Sequence, residues 1–304
     1  MINRQIAFVY VSSGWGAPDM RTANGPACVS PFLAELFKNE GVAAFYTVDN
    51  DPDTLSVTKK IPKNQLKERR EHVTDVATRL CDLVQTLIRN DYFPIIIGGD
   101  HSIAMGTWSG VKMASPAQDF GLLWFDAHMD AHTHETSFTQ HPHGMPLAVL
   151  LGHGPKEWTH LGECSPKIHP HQIAQLGIRC FESKEKKFLD QQQVKIFFQK
   201  DLKTVGLEKA YRDAFQHITK ATPFYGVSID VDAFDPSEAP GTGTVEPDGI
   251  HLADLIPLIK GIAHDPNCLA LEITEFNPDK DQDGITLDLV LALIKTALEF
   301  PRRG

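Results

Sequence analysis

The stretch Gly121-Leu-Leu-Trp-Phe-Asp-Ala-His-Met-Asp130 decides how this chain folds. Its first five residues predict a short buried strand, and Asp126, His128 and Asp130 then follow at every second position. In extended backbone, side chains two residues apart point to the same side. Two carboxylates and an imidazole would therefore surround one point just beyond the strand. Burying this cluster is costly unless a positive charge lies within it, and a divalent cation is the obvious candidate.

Hydrophobic periodicity predicts that strands and helices alternate around this stretch. Such alternation is typical of βαβ units, in which helices cover both faces of a largely parallel sheet. We find no internal repeat and no linker, so we expect one domain over residues 1–304, with an exposed excursion near residues 50–63. The predicted strands are residues 6–11, 42–48, 93–97, 121–125, 172–177, 194–198, 225–230 and 268–273. The predicted helices are residues 27–38 and 65–90, one from near Ile103, and residues 182–191, 207–219, 252–263 and 286–299.

The composition is that of an ordinary cytoplasmic protein. The formal net charge of -10 argues against nucleic acid or an anionic membrane as a partner, because both require a basic surface. No apolar run reaches the roughly 18 residues that a membrane span needs, and the N-terminus lacks the apolar core of a signal peptide. Five scattered cysteines without a Cys-x-x-Cys pair indicate reduced thiols.

Three basic residues begin the longest predicted helix, namely Lys67, Arg69 and Arg70. They could form a basic patch that binds a ligand. Glu68 and Glu71 are interleaved with them, however, and this mixture favours a solvated helix face.

Two further segments place metal-binding side chains at the ends of predicted strands. His101 follows Gly98-Gly-Asp, and Asp230 and Asp232 lie in Ser228-Ile-Asp-Val-Asp-Ala-Phe-Asp-Pro236. A single aspartate at a strand end is more often a cap or turn former, and a single histidine is often a satisfied core residue. Three such segments at the carboxyl edge of one sheet favour a site instead. Four carboxylates and two imidazoles suit two hard or borderline ions such as Mn²⁺, which can share and deprotonate one water molecule.

Three blocks of the chain resemble the signature motifs of the ureohydrolases, the family of arginase, agmatinase and formimidoylglutamase. They are Gly98-Gly-Asp-His-Ser102, Asp126-Ala-His-Met-Asp130 and the block from Ser228 to Pro236. The resemblance implies a three-layer α/β/α sandwich with a central, mostly parallel sheet, and two manganese ions per subunit. It also implies hydrolysis of a guanidino group to urea and an amine by a homo-oligomer, either a trimer or a hexamer. The metal ligands that it implies are His101, Asp126, His128, Asp130, Asp230 and Asp232.

The same resemblance implies roles for side chains around the metals. Asp130 would take the proton left on the nucleophile, an activated water molecule held by the two ions. His143, in His-Gly-Met-Pro146, would carry a proton to the leaving amine, a task that suits an imidazole of near-neutral pKa. Glu275 would grip the guanidinium group, and Thr244 would line the site.

The substrate is the harder question. The block from His143 to Leu147 is similar to the arginase form, and Glu182 and Glu185 match two acids that bind the α-amino group of arginine. The remaining substrate-binding positions depart from arginases. His132 stands where arginases commonly carry asparagine, and Thr139-Gln140-His141 replaces Ser-Gly-Asn, at positions that would hold the α-carboxylate. L-Arginine is thus the favoured substrate. The alternative is hydrolysis of agmatine or of another guanidino or amidine compound, which are the reactions of agmatinases, formimidoylglutamases and guanidinobutyrases. A third alternative is an inactive relative that only binds metal.

Overall fold

The computed structural model describes residues 4–38, 43–49, 66–115 and 119–299. The predicted excursion at residues 50–63 lies outside these ranges. The strands are β1 Gln5–Ser12, β2 Ala43–Asp49, β3 Tyr92–Gly98, β4 Gly121–Phe125, β5 Ile173–Ile178, β6 Lys195–Phe198, β7 Tyr225–Asp230 and β8 Cys268–Thr274. The helices are α1 Gly25–Leu36, α2 Leu66–Arg89, α3 Ala104–Ala114, α4 Pro146–Leu150, α5 Lys156–Thr159, α6 Ser183–Gln192, α7 Gln199–Val205, α8 Leu207–Ile218, α9 Leu252–Ile259 and α10 Ile285–Leu298.

The eight strands form one sheet in the order β2-β1-β3-β8-β7-β4-β5-β6. Every pair of neighbouring strands is parallel. Alternate residues of β1 belong to two different cores, one on each face of the sheet. Phe8 and Tyr10 belong to the core that includes residues of α1, α8, α9 and α10. Val9 and Val11 belong to the core that includes residues of α2, α3, α4 and α6. The predicted three-layer arrangement with a parallel central sheet is therefore confirmed.

Differences from the predicted elements are local. The short helices α4, α5 and α7 were not predicted, because four to seven residues give too few turns for a helical period to show. Helix α1 begins at Gly25, earlier than predicted, since Pro26 lies in its first turn, where a missing N–H costs nothing. Within the described ranges, no helix is both long and apolar enough to cross a membrane.

The predicted solvated face at the start of α2 is wrong for one of its three basic residues. Lys67 and Arg70 are exposed, but Arg69 is only 3% exposed. Its guanidinium group donates hydrogen bonds to the carbonyl oxygens of Trp15 and Ala17, at 2.5 and 2.7 Å. The charge is tolerated inside the protein because these backbone acceptors take the place of water.

The four central strands carry the predicted site at their carboxyl ends. Strands β3, β8, β7 and β4 are adjacent in the sheet, and the chain leaves each of them directly into a polar segment. Gly99, just after β3, allows the strand ends to approach closely, since a Cβ atom there would lie 1.7 Å from the carbonyl oxygen of Ser13. The backbone N–H of Glu275, just after β8, donates to the carbonyl oxygen of Gly99 at 2.7 Å. Adjacent strand ends thus bring together segments that are up to 174 residues apart in the chain.

Candidate active site

The first group of predicted metal ligands is centred on the buried imidazole of His101. Its Nδ1 atom lies 3.3 Å from Oδ2 of Asp126, and 3.2 Å from Oδ2 of both Asp130 and Asp230. Its ring stacks on Trp124 with 4.3 Å between ring centroids. Nδ1 has no hydrogen-bond partner among the described residues, although three carboxylate oxygens surround it. A nitrogen lone pair facing three carboxylates is a donor set that suits a divalent ion.

The opposite side of the His101 ring is held by two residues that the sequence analysis missed. Nε2 of His101 lies 3.0 Å from Oγ of Ser228, and that hydroxyl donates to Oε1 of Glu272 at 2.8 Å. Because Ser228 gives its only proton to Glu272, its oxygen accepts the N–H of Nε2, which leaves Nδ1 as the ligating atom. The signal was an acid, Glu272, inside the otherwise apolar strand β8.

The second group is centred on His128. Its Nδ1 atom lies 3.0 Å from Oδ2 of Asp232 and 3.6 Å from Oδ1 of Asp126. The donor atoms of His128, Asp126 and Asp232 lie within 4.8 Å of one another, and so do those of His101, Asp126 and Asp230. Asp126 belongs to both groups, so the two groups define adjacent positions that share one carboxylate. All six predicted ligands lie in this cluster, and they fit a pair of divalent ions.

Burial and mutual repulsion make this cluster electrostatically costly. Burial, followed by the charge of Asp126, raises the pKa of Asp130 to about 7. Burial also raises the pKa of Asp232, and raises that of Asp230 well above its usual value. Burial would raise the pKa of Asp126 too, but the neighbouring imidazoles of His101 and His128 outweigh it and hold that pKa below its usual range. Bound divalent cations would supply the missing positive charge.

Two of the acidic residues adopt backbone conformations that residues other than glycine rarely adopt. The φ angles of Asp130 and Glu275 are 49° and 66°. Such conformations cost on the order of 1–3 kcal/mol and persist only where surrounding contacts impose them. Here the carbonyl oxygen of Asp130 accepts the N–H of Leu147 at 2.9 Å, and the N–H of Glu275 is bonded to Gly99. These backbone hydrogen bonds are the contacts that impose the two conformations.

His143 lies beside the cluster and is paired with Glu275. Its Nδ1 atom lies 3.0 Å from Oε1 of Glu275, and its backbone N–H donates to the carbonyl oxygen of Gly16 at 3.2 Å. Burial alone would lower the pKa of His143, but the hydrogen bond and charge of Glu275 raise it. Burial likewise would raise the pKa of Glu275, yet its bond to His143 holds that pKa below the usual value.

A cavity of about 400 Å³ opens onto these residues. It contains all six residues predicted to bind the substrate, and further residues that sequence reasoning missed. The predicted ones are His132, Thr139, His141, Glu182, Glu185 and Thr244, and the missed ones are Pro18, Ser137, Gly144, Cys180 and Phe181. A larger groove of about 880 Å³ beside α8 and α9 contains none of the predicted site residues, so the smaller cavity is the candidate active site.

The outer side of His128 is bounded by two more residues without a predicted role. Nε2 of His128 lies 3.8 Å from Oε1 of Glu246, and the thiol of Cys180 belongs to the same small group. Arg179 fixes this region, because its guanidinium group donates to several backbone carbonyl oxygens that follow β7. These acceptors are the carbonyls of Asp232, Ala233, Phe234, Glu246 and Pro247.

A parallel sheet that ends in two adjacent ligand groups, below a cavity lined with acids and imidazoles, is the architecture of a metal-dependent hydrolase. The chain belongs to the arginase family, whose model matches residues 43–299. It is similar to the arginase of Bacillus caldovelox, with 33% identity over 222 residues, 73% of this chain and 74% of that protein. It is also 27% identical to the arginase of Brevibacillus brevis over 297 residues, 97% and 98% of the two chains.

The fold is similar to that of solved arginases over almost its full length. The structure of Bacillus caldovelox arginase superimposes with a TM-score of 0.86 and 27% identity, and the match covers 99% of this chain and 100% of that one. The resemblance to the ureohydrolases is therefore confirmed. The protein is a hydrolase that acts on guanidino C–N bonds.

Proposed function

We propose that the protein is a manganese-dependent arginase, which hydrolyses L-arginine to L-ornithine and urea. The observation that carries this proposal is the pair of ligand groups that share Asp126, next to a cavity with Glu275 on one part of its wall and Glu182 and Glu185 on another. L-Arginine carries a cationic guanidinium group and a cationic α-ammonium group. A wall with separate acids suits a molecule with two separate cations.

Each side chain has a task in this proposal. Glu275 pairs with the guanidinium group through Oε2, because its Oε1 is already bound to His143 and to the backbone N–H of His101. His143 gives a proton to the leaving amine, and its partner Glu275 stabilises the protonated ring that precedes this step. Asp130 accepts the proton that the attacking water loses, and Thr244 lines the wall beside the guanidinium group. When two Mn²⁺ ions are bound, they supply a water of lowered pKa and neutralise developing negative charge.

The rest of the cavity would hold the amino-acid end of the substrate. Glu185, with Glu182, faces the α-ammonium group, and Thr139 and His141 offer hydrogen bonds to the α-carboxylate. We further propose that the whole chain acts as one domain, in a cytoplasmic homo-oligomer that is a trimer or a hexamer. Light scattering after size-exclusion chromatography measures the oligomeric state directly.

A second candidate substrate class is favoured by one observation. His132 and the Thr139-Gln140-His141 segment replace the residues that hold the α-carboxylate in arginases. A guanidino compound without that carboxylate, such as agmatine, would not need them.

Urea release from the manganese-loaded protein tests the proposal. L-Arginine, agmatine and 4-guanidinobutyrate are compared at equal concentration, with an Asp126→Asn variant as the inactive control. The expected result is the highest kcat/KM with L-arginine and no urea from the variant. Preference for agmatine would replace the arginase proposal with the second candidate, and no urea from any substrate would reject both.

A further inference from the structure

The imidazole of His132 is enclosed by side chains of the protein. The residue is only 9% exposed, although it lines the cavity. Its Nε2 atom lies 3.7 Å from Oε2 of Glu185 and 3.8 Å from Oε1 of Glu182, and its Nδ1 atom lies 3.2 Å from Oγ1 of Thr136. Both ring nitrogens therefore face protein atoms. A substrate carboxylate would have to displace one of these contacts in order to bind to this ring.

The acid that faces His132 is itself firmly placed. Glu185 is 4% exposed and lies in the first turn of α6. Its Oε1 accepts the backbone N–H of Ala131 at 2.9 Å, and its Oε2 accepts the backbone N–H of Glu182 at 3.4 Å. Glu185 thus joins the loop that follows Asp130 to the start of α6. Only its Oε2, the atom nearest His132, is available to a ligand in the cavity.

Glu182 differs from Glu185 in its exposure. Its side chain is 58% exposed and lines the cavity, with Oε1 at 3.8 Å from Nε2 of His132. Nε2 of His132 faces one oxygen of each of the two acids. At 3.8 and 3.7 Å, these two contacts place His132 beside both acids around one small space.

One of the residues at the positions that would hold the α-carboxylate offers little to it. Gln140, predicted as a donor to it, gives its amide protons to the carbonyl oxygens of His134 and Ser137, at 2.7 and 2.6 Å. Among the described residues that line the cavity, none is a lysine or an arginine. Glu182 and Glu185 make this part of the wall negative, which attracts an ammonium group and repels a carboxylate.

We propose that His132 is a positioning residue for Glu185 and Glu182, the two acids that the proposed function places at the α-ammonium group, and that it does not bind the carboxylate of the substrate. An ammonium ion has three N–H donors and no acceptor, so two carboxylate oxygens held apart at fixed positions match it. This inference rests on the proposed function. It assigns His132 to the amine of the substrate and not to its carboxylate.

Three substrates separate the two roles of His132. L-Arginine carries both an amine and a carboxylate, agmatine carries only the amine, and 4-guanidinobutyrate carries only the carboxylate. The variant is His132→Asn, whose amide can still donate to a carboxylate but is too short to span the two acids. The control is His134→Asn, an exposed histidine of the same loop that does not line this cavity.

We expect His132→Asn to raise KM about tenfold for L-arginine and agmatine, and to leave KM for 4-guanidinobutyrate within about twofold. Glu185→Gln should give the same pattern, and His134→Asn should change none of the three. Manganese content and the thermal midpoint of each variant show whether the metal cluster and fold are retained. A uniform loss with all three substrates would indicate a merely structural role and would overturn the inference.

Two other outcomes also overturn it. A loss with L-arginine and 4-guanidinobutyrate, but not with agmatine, would make His132 a carboxylate ligand. Unchanged KM values for all three substrates would give His132 no part in recognition.

If the wild-type protein releases no urea from any of them, the proposed function itself fails. Calorimetric binding of putrescine to the wild type and His132→Asn then decides the inference separately, and equal affinities would reject it.

Discussion

Glu275 holds His143 with the same oxygen that it uses to hold the loop of the first metal ligand. Its Oε1 lies 3.0 Å from Nδ1 of His143 and accepts the backbone N–H of His101 at 2.9 Å. Its other oxygen, Oε2, has space beside Gly243, where a Cβ atom would lie only 3.1 Å away. One carboxylate therefore joins the proposed proton carrier to the ligand loop and still presents a second oxygen to the cavity.

Replacing Glu275 by glutamine should reduce kcat/KM by about 10²–10³-fold, since truncating one partner of a buried charge pair costs roughly 2–5 kcal/mol. It should also shift the pH profile. Glu275 raises the pKa of His143, so a neutral amide lowers that pKa, and the limb of the kcat profile that reports His143 moves to lower pH. Steady-state urea release from pH 6 to 10 measures both effects. Glu238→Gln is the control, because Glu238 pairs with His251 and does not line the cavity. If the His143 limb of the Glu275→Gln profile stayed at the wild-type pH, the pairing of Glu275 with His143 would be contradicted.

Metal content should distinguish the shared ligand from an unshared one. Asp126 belongs to both ligand groups, whereas His128 belongs to one of the two. We expect Asp126→Asn to bind almost no manganese and His128→Asn to keep about one ion per chain, since losing a ligand weakens binding at the site it serves. Inductively coupled plasma mass spectrometry after dialysis gives the stoichiometry. Equal metal loss in the two variants would show that the two positions cannot be filled independently.

The sequence could predict which side chains cluster at the site because their signal is local. Asp126, His128 and Asp130 alternate at the end of an apolar run, and Asp230 and Asp232 repeat that spacing. Such spacing reports which side chains share a side of extended backbone. It holds no information on strand order, so it could not show that β8 lies between β3 and β7 and brings Glu272 behind His101. That contact is made by residues 171 positions apart in the chain.

The burial of individual charged residues was the property that was hardest to predict from the sequence. Arg69 and Arg70 are neighbours with the same local composition, yet one is buried and the other exposed. The period of α2 places Arg69 on the buried face of Val73 and Val76, but nothing within α2 shows the carbonyl oxygens of Trp15 and Ala17 that accept its charge there. For the same reason, His132 could be placed in the cavity from its motif, but its contact with Glu185 required the position of α6.

Manganese binding to the metal-free protein should release protons, most strongly below neutral pH. Burial, followed by the charge of Asp126, raises the pKa of Asp130 to about 7, from an ordinary value of 3.8. The metal-free folded state therefore keeps a proton that the unfolded chain loses. The contribution of Asp130 to the stability of this metal-free state should therefore fall as the pH rises from about 4 to 7, and then level off.

Because manganese binds the ionised carboxylate, its affinity should rise over the same pH range. Titration calorimetry at pH 6, in two buffers of different ionisation enthalpy, counts the protons released. Asp130→Asn should release fewer protons than the wild type, and His134→Asn should release as many. Equal release by the wild type and Asp130→Asn would mean that Asp130 is already ionised in the metal-free protein.

Arg69 should be needed for activity although it lies outside the cavity. Its guanidinium group holds the carbonyl groups of Trp15 and Ala17, on either side of Gly16. The carbonyl oxygen of Gly16 in turn accepts the N–H of His143. Arg69→Met leaves two buried acceptors without donors, so we expect it to lower the free energy of unfolding by about 2–4 kcal/mol.

The same variant should lower kcat more than it raises KM, because the ring of His143 loses its fixed position. Arg70→Met is the matched control: Arg70 follows directly in α2, is exposed and pairs with Glu157, so its loss should cost about 0–1 kcal/mol. Urea denaturation and steady-state kinetics of both variants, with Arg69→Lys as a partial rescue, make the comparison. If Arg69→Met lost stability but kept kcat, the loop from Trp15 to Ala17 would support the fold without positioning His143.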